Sequence, residues 1–202
     1  MIDAIIPVRN EQKTLPRILA VFRQCQYISN VIVCVDGATG DKTEAIAKAN
    51  AGYVVPKDAG IRGKGQLIKE GVRHSRTPYV LLCDGDYTGL TSGHITELAG
   101  DIRTQTIKIG VPEYPDETVP ARVINSWPWV SGLRVVPVEI LTALDLHGYL
   151  TEVQINMEAG KRGYTFRFKF MAGLVSQYDM SPARLAAMEA DREWGIQNGV
   201  LR

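Results

Sequence analysis

The sequence predicts an α/β fold built on a mostly parallel central sheet, and three observations carry that expectation. Short runs rich in Ile, Val and Leu recur at residues 2–6, 31–35 and 79–83 without polar alternation, as in strands covered on both faces. Segments with helical spacing of apolar residues lie between the runs. Each run ends abruptly on a polar, glycine-containing cluster, the pattern of strand tips that open into a ligand crevice. Repeated strand–helix units of this length imply parallel strands joined by right-handed crossovers.

The elements follow in order. Residues 2–6 form a first strand, interrupted at Pro7. Leu15, Ile18, Leu19, Phe22 and Cys25 mark a helix with Thr14 as its N-cap. A second strand at 31–35 runs into the turn Asp36-Gly-Ala-Thr-Gly-Asp41. Asp41 and Glu44 resemble a capping box for the helix carrying Ala45, Ile46 and Ala49, which Gly52 closes. A short strand at 53–55, a polar segment at 57–65, a helix through about Val72 and a strand at 79–83 complete the first half. The second half is less regular. It offers a strand at 106–110, a proline-rich loop at 112–128, and helices at 136–144 and 150–161. Tyr164, Phe166, Phe168 and Phe170 alternate with polar residues as in a half-buried strand, and a terminal helix is expected at 182–197.

Composition sets ordinary limits. The 202 residues are 45% hydrophobic and 22% charged, enough for one globular domain spanning 1–202 with a real core. A net charge of +1 gives no nucleic-acid signal. Cys25, Cys34 and Cys83 fit neither a zinc site nor a redox pair, and read as buried free thiols of a reducing compartment. No apolar run is long enough for a transmembrane segment, and strand pattern from Ile2 leaves no room for a signal peptide, so the expected location is cytoplasmic.

The chemistry concentrates in four clusters that follow strand ends: Pro7-Val-Arg-Asn-Glu11, Asp36 to Asp41, the segment from Lys57 to Gly65, and Asp84-Gly-Asp86. On a doubly wound sheet all four share one edge. Asp84 and Asp86 would repel each other by roughly 1 kcal/mol at 4 Å in water and about 4 near a protein surface. A divalent cation removes that cost. Carboxylates for ribose or base edges, glycine-rich backbone, and Arg62 and Lys64 for phosphate oxygens together suit a metal-bound nucleotide diphosphate. Each cluster alone is better explained as a turn, cap or solvated loop; together, in this order, they favour the functional reading. Walker A and dinucleotide fingerprints are both excluded: Asp58 and Gly65 break the first, and Pro7 to Asn10 break the second.

The ordered set resembles glycosyltransferases of the GT-A fold, specifically glycosyltransferase family 2. Pro7 to Glu11 is similar to P-x-x-N-E, Val35 to Asp41 loosely to V-D-D-G-S-T-D, Gly63 to Gly65 to G-K-G, and Asp84 to Asp86 to the D-x-D motif. Further on, Ser131-Gly-Leu-Arg134 resembles the acceptor-side S-G-x-R segment and Gly148 to Glu152 the G-Y-x-x-E segment. The likeness covers residues 2 to about 175 and extends to the small glucosyl-3-phosphoglycerate synthase-like enzymes, whose reaction retains anomeric configuration.

The resemblance implies a nucleotide-sugar-binding half at 1–90 and an acceptor-binding half at 91–202. It implies transfer of a hexose from a UDP-sugar, or alternatively a GDP-sugar, to an unidentified hydroxyl acceptor with Mn2+ or Mg2+. Pro7, Arg9, Glu11, Asp36, Arg62, Lys64 and Asp84 would bind the donor. Asp86 would hold the metal, with Gln177 nearest the place where relatives carry a histidine ligand. Glu152 would be the catalytic base of an inverting reaction, although a first-turn glutamate also suits the helix dipole. Ser131, Gly132 and Arg134 would bind the acceptor, Arg134 through an anion, although simple pairing with a carboxylate would suit Arg134 equally. Two departures stand out: Gly37 replaces a second acidic residue, and no histidine follows the last strand. Two alternatives compete. The run from Tyr79 to Thr88 also matches the haloacid-dehalogenase phosphatase pattern, with Asp84 as nucleophile. A non-catalytic nucleotide-sugar-binding protein would account for the departures.

Overall fold

A computed structural model describes residues 1–102, 105–113, 129–146 and 148–176, together with positions 186, 190, 193, 196 and 197. One mixed eight-stranded sheet forms its centre, in the order β3-β2-β1-β4-β7-β6-β8-β5. Strands β1 (Ile2–Val8), β2 (Ile28–Val35), β3 (Tyr53–Val55) and β4 (Tyr79–Leu82) are mutually parallel. The parallel rhythm breaks at β7 (Arg134–Pro137), which runs antiparallel to both β4 and β6 (Thr106–Glu113). Strand β8 (Thr165–Ser176) lies parallel to β6, and the two-residue β5 (Tyr87–Thr88) pairs antiparallel with the end of β8.

The helices cover both faces, which is why the inner strands carry no polar alternation. Helices α1 (Leu15–Phe22), α2 (Thr43–Asn50) and α4 (Ser92–Ala99) bury Leu15, Ile18, Phe22, Ala47, Ile95 and Leu98 against one face. The other face holds α3 (Lys64–His74), α5 (Val138–Thr142) and α6 (Thr151–Lys161), through Leu67, Ile68, Ile140, Leu141 and Ile155. Each of the Leu, Ile and Phe side chains contributes roughly 1.5–3 kcal/mol when fully buried, and the single methyl of Ala47 less. The three thiols are free and buried, as expected. Asp3, also buried, belongs to the opposite end of the sheet from the ligand-facing tips: it accepts from Ser29 Oγ, Ser75 Oγ and the Arg76 amide.

Several sequence expectations change. Pro7 does not interrupt β1, which continues to Val8 with Pro7 opposite Cys34. The Ile5 carbonyl accepts from Cys83 on the β4 side, whereas the Val8 carbonyl accepts from Asp36 on the β2 side. By that alternation, the N–H that Pro7 lacks would face β4, whose pairing ends at Ile5. Val136 belongs to β7 and not to a helix, because β4 and β6 flank it; the helix begins only at Val138. Asp41 caps no helix as a box. Its carboxylate accepts from the Thr43 and Gln12 amides while Lys42 takes the N-cap place. The first half of β8 is more exposed than half-buried, with Phe170 at 66%. Most of the proline-rich loop, Gln177 and most of the expected terminal helix lie outside the described residues; positions 186, 190, 193, 196 and 197 are helical.

Candidate active site

Parallel pairing puts the C-terminal tips of β1, β2, β3 and β4 on one edge of the sheet, and antiparallel β7 brings its start, Arg134, opposite Leu82 at the same edge. The loops that meet there are bonded to one another. Glu11 donates its amide to Thr43 Oγ1 at 2.7 Å, and Asn10, in the left-handed region at φ 58°, accepts from the Gly40 amide at 2.8 Å. Thr14 occupies the N-cap position of α1 but its hydroxyl makes no cap bond. Instead, Thr14 Oγ1 lies 2.7 Å from Glu11 Oε2 and 2.6 Å from the Gly85 carbonyl, able to donate to either. This hydroxyl joins the first cluster to the D-x-D segment, a role its cap-like position in the sequence hides.

Asp36 is buried, and its two oxygens each accept an amide at 2.7 Å, Oδ1 from Ala38 and Oδ2 from Gly63. It therefore anchors the residue immediately before Lys64. Gly37 has a steric reason: a Cβ there would overlap the Asp58 carbonyl, and the Gly37 amide donates to Ile61 at 2.9 Å. The 57–63 segment packs so closely on the tip of β2 that no second acidic side chain fits. Lys57 Nζ closes the same contact by donating to the Thr39 carbonyl at 2.5 Å.

Lys64, the first residue of α3, stands at the centre. Its Nζ is 2.5 Å from Asp84 Oδ1 and 2.5 Å from Glu152 Oε1. Burial favours the neutral amine, but the two carboxylates outweigh it and hold the ammonium above the usual lysine range. Glu152 is buried, in the first turn of α6. Asp86 Oδ2 accepts from Ser176 Oγ at 3.3 Å. Pro7 is buried, while Arg9 and Arg62 are exposed; Arg62 Nε donates to the Ala59 carbonyl at 3.1 Å.

The expected acceptor-contacting residues differ in placement. Ser131, Gly132 and Arg134 are all buried beneath the edge. Ser131 Oγ donates to the Gly110 carbonyl at 2.5 Å and lies 3.4 Å from the Tyr87 hydroxyl. Gly132 packs directly on Asp84, so that a Cβ would overlap its carboxylate. Arg134 has no exposed surface: Nε and Nη2 donate to the Ser131 carbonyl, Nη2 to the Trp129 carbonyl, and Nη1 to Asn156 Oδ1 at 2.9 Å. Burial lowers its pKa against the pull of Glu152, Tyr87 and Asp84, yet a guanidinium stays charged. In this arrangement Arg134 braces the 129–131 segment from a fully buried position. Burial, and after it Asp84, also pushes the Tyr87 hydroxyl well up. Thr43, Tyr87, Asn156 and Ser176 join the site without a sequence signal of their own, whereas Asn10 is the asparagine of the P-x-x-N-E run and Thr14 carries only a cap signal.

Among the described residues, no group of three or more His, Cys, Asp or Glu side chains could hold a metal ion by itself. The carboxylates of the D-x-D segment nonetheless fit Mg2+ or Mn2+ of a particular kind. Such ions commonly take one or two protein carboxylates, with waters and substrate phosphates completing the shell.

Three comparisons place this geometry among known proteins. The profile of Glycosyl transferase family 2 matches residues 3–135. Glycosyltransferase AglJ of Haloferax volcanii is 35% identical over 85 residues, 42% of this chain and 27% of that protein. The 4,4'-diaponeurosporenoate glycosyltransferase of Staphylococcus aureus is 32% identical over 105 residues, 50% of this chain and 28% of that protein. The chain thus spans little more than a quarter of the length of these curated relatives. In structure, it is similar to glucosyl-3-phosphoglycerate synthase from Mycobacterium tuberculosis, solved with Mn2+, UDP-glucose and phosphoglyceric acid. The TM-score is 0.76 at 19% identity, covering 93% of this chain and 75% of that one. A second structure of that synthase, with phosphoglyceric acid alone, gives a TM-score of 0.77 at 17% identity over the same shares. At these identities, the likeness establishes the GT-A fold.

Proposed function

The chain belongs to glycosyl transferase family 2, and from that premise we propose that it transfers a hexose from a nucleotide-diphosphate sugar, UDP-sugar in preference, to a hydroxyl acceptor. The observation that carries the reading is the convergence of three loops on the D-x-D segment, with the Lys64 ammonium 2.5 Å from Asp84. Lys64 and the N-terminus of α3 supply positive potential for the diphosphate. Glu11 and Asp36 line the nucleoside side. Each Asp36 oxygen already holds one amide and retains a lone pair for a ligand. Asp84 takes the ribose or sugar side. Asp86 would hold a divalent cation, which when bound offsets the charge that builds on the departing nucleoside diphosphate. The Mycobacterium tuberculosis synthase, solved with Mn2+ and UDP-glucose, supports both the donor class and the cation. The acceptor approaches from the β6–β8 side, over the segment that Arg134 braces.

Phosphatase chemistry at Asp84 leaves Glu11, Asp36 and Lys64 without a task, and the family match is against it. Thermal-shift and calorimetric titrations with UDP- and GDP-sugars, each with and without Mn2+ or Mg2+, test the proposal. A donor at a hundred times its Kd contributes about 2.7 kcal/mol, a rise in Tm of roughly 5–10 °C for a chain of this size. Asp86→Ala removes the cation-dependent part of that rise. No response to any nucleotide sugar, or an undiminished response in Asp86→Ala, would sink the donor or the cation assignment respectively. Donor binding without hydrolysis or transfer to any hydroxyl would make the protein a non-catalytic binder.

A further inference from the structure

Lys64 is gripped from two sides of the crevice. Asp84 at the tip of β4 and Glu152 in the first turn of α6 each place an oxygen 2.5 Å from Nζ. The Glu152 side chain is only 8% exposed, against 24% for Lys64 and 26% for Asp84, so Glu152 forms the floor of the arrangement and Lys64 its upper face. An ammonium has three N–H donors. Asp84 and Glu152 engage two of them, which leaves the third for an incoming anion. A lysine stem is otherwise the most freely rotating of side chains, and ordering it on binding would weaken the ligand. Two fixed carboxylates remove that freedom in advance.

The same contact bears on proton transfer. A general base needs an oxygen lone pair within hydrogen-bond reach of the acceptor hydroxyl. Glu152 Oε1 is committed to Lys64, its carboxylate is nearly closed to solvent, and the Arg134 guanidinium adds a second positive charge nearby.

We propose that Glu152 is a positioning residue that acts through Lys64, locking the ammonium beside Asp84 to receive the diphosphate, and does not take the acceptor's proton. This rests on the donor reading above and names how the pocket prepares itself for that donor.

Calorimetry with UDP and UDP-glucose in Mn2+ tests it, alongside kcat for transfer or donor hydrolysis. Glu152→Gln weakens UDP binding about tenfold, the effect of losing one charge-assisted contact's support. Lys64→Ala weakens it by at least as much. The double variant binds within twofold of Lys64→Ala alone, because Glu152 has nothing left to hold. A general base predicts the opposite split: kcat falls by about 10²–10⁴ while UDP affinity stays within twofold of wild type. That split, or additive losses in the double variant, overturns the proposal. Should Glu152→Gln fail to fold by circular dichroism, Glu152→Asp keeps the charge and withdraws it by one methylene. It weakens UDP binding several-fold if the grip matters, and unchanged affinity overturns the idea. Wild type that binds no nucleotide under any cation defeats the donor reading as well, whereas wild type and Glu152→Gln binding equally well defeats only this one.

Discussion

The parallel half of the sheet, β1 to β4, and the half from β5 to β8 build their shares of the crevice in opposite ways. In the first, β1 is buried along its length, β2 and β4 are buried toward their tips, and the loops at those tips are tied by many separate bonds. Asn10 to Gly40, Glu11 to Thr43, Asp36 to Gly63 and Lys57 to Thr39 each cross between segments. In the second, one guanidinium, that of Arg134, gathers the carbonyls of Ser131 and Trp129, with Asn156 Nδ2 sharing Trp129 and Ser131 Oγ reaching the Gly110 carbonyl. Above it the packing is open: Trp129 is 42% exposed and meets Phe166 and Phe168 edge-on at 5.1 and 4.8 Å. Many modest ties tolerate the loss of any one of them; a single buried cation with four contacts does not.

Substitutions should sort by that contrast. Arg134→Met has the largest expected effect, a loss of about 3–5 kcal/mol, since it strips the buried Ser131 carbonyl of its two arginine donors and leaves Asn156 alone to hold the Trp129 carbonyl. The melting temperature would drop by about 10 °C or more; a fall of only a degree or two would mean that the second half is as redundantly tied as the first. Gly132→Ala comes next. Its methyl intrudes on Asp84, so overpacking costs roughly 1–3 kcal/mol, and donor affinity measured by calorimetry falls with it. Asp36→Asn keeps one acceptor but turns an NH2 toward a backbone amide, at a cost of about 1–2 kcal/mol in urea unfolding. A loss as large as that of Arg134→Met would break the claim that the parallel half spreads its load. Smallest is Lys69→Ala, whose partner Asp145 is almost fully exposed; stability should change by less than about 1 kcal/mol.

The same division governs what the sequence reveals. The inner parallel strands announce themselves because burial on both faces demands unbroken apolar runs, and the polar clusters at their ends mark the crevice in advance. Pro7 misleads because a missing amide is harmless only where the neighbouring strand has already ended, and that end is set by β4, far along the chain. β7 is invisible for a related reason: Val135 and Val136 gain their strand character from β4 and β6 alone. In the site, Lys64 and Asp84 are foreseeable as neighbours on one edge. The grip of Glu152 is not, since it depends on how α6 docks. Nor is the burial of Arg134, a residue type almost always found at the surface. The want of a second acid at position 37 is explained only by the close approach of the Asp58 carbonyl.

Gly89 and Gly173 both sit at positive φ, 73° and 76°, and cross so tightly that a Cβ on Gly89 would overlap the Gly173 carbonyl. There β8 slips register, from Met171 opposite Pro112 to Val175 opposite Glu113, before Ser176 reaches Asp86. The number of residues through this kink is therefore a fixed dimension of the molecule. Insertion or deletion of one residue between Met171 and Ser176 would turn Ser176 to the opposite face, and Asp86 would lose its serine though the D-x-D segment itself had not been altered.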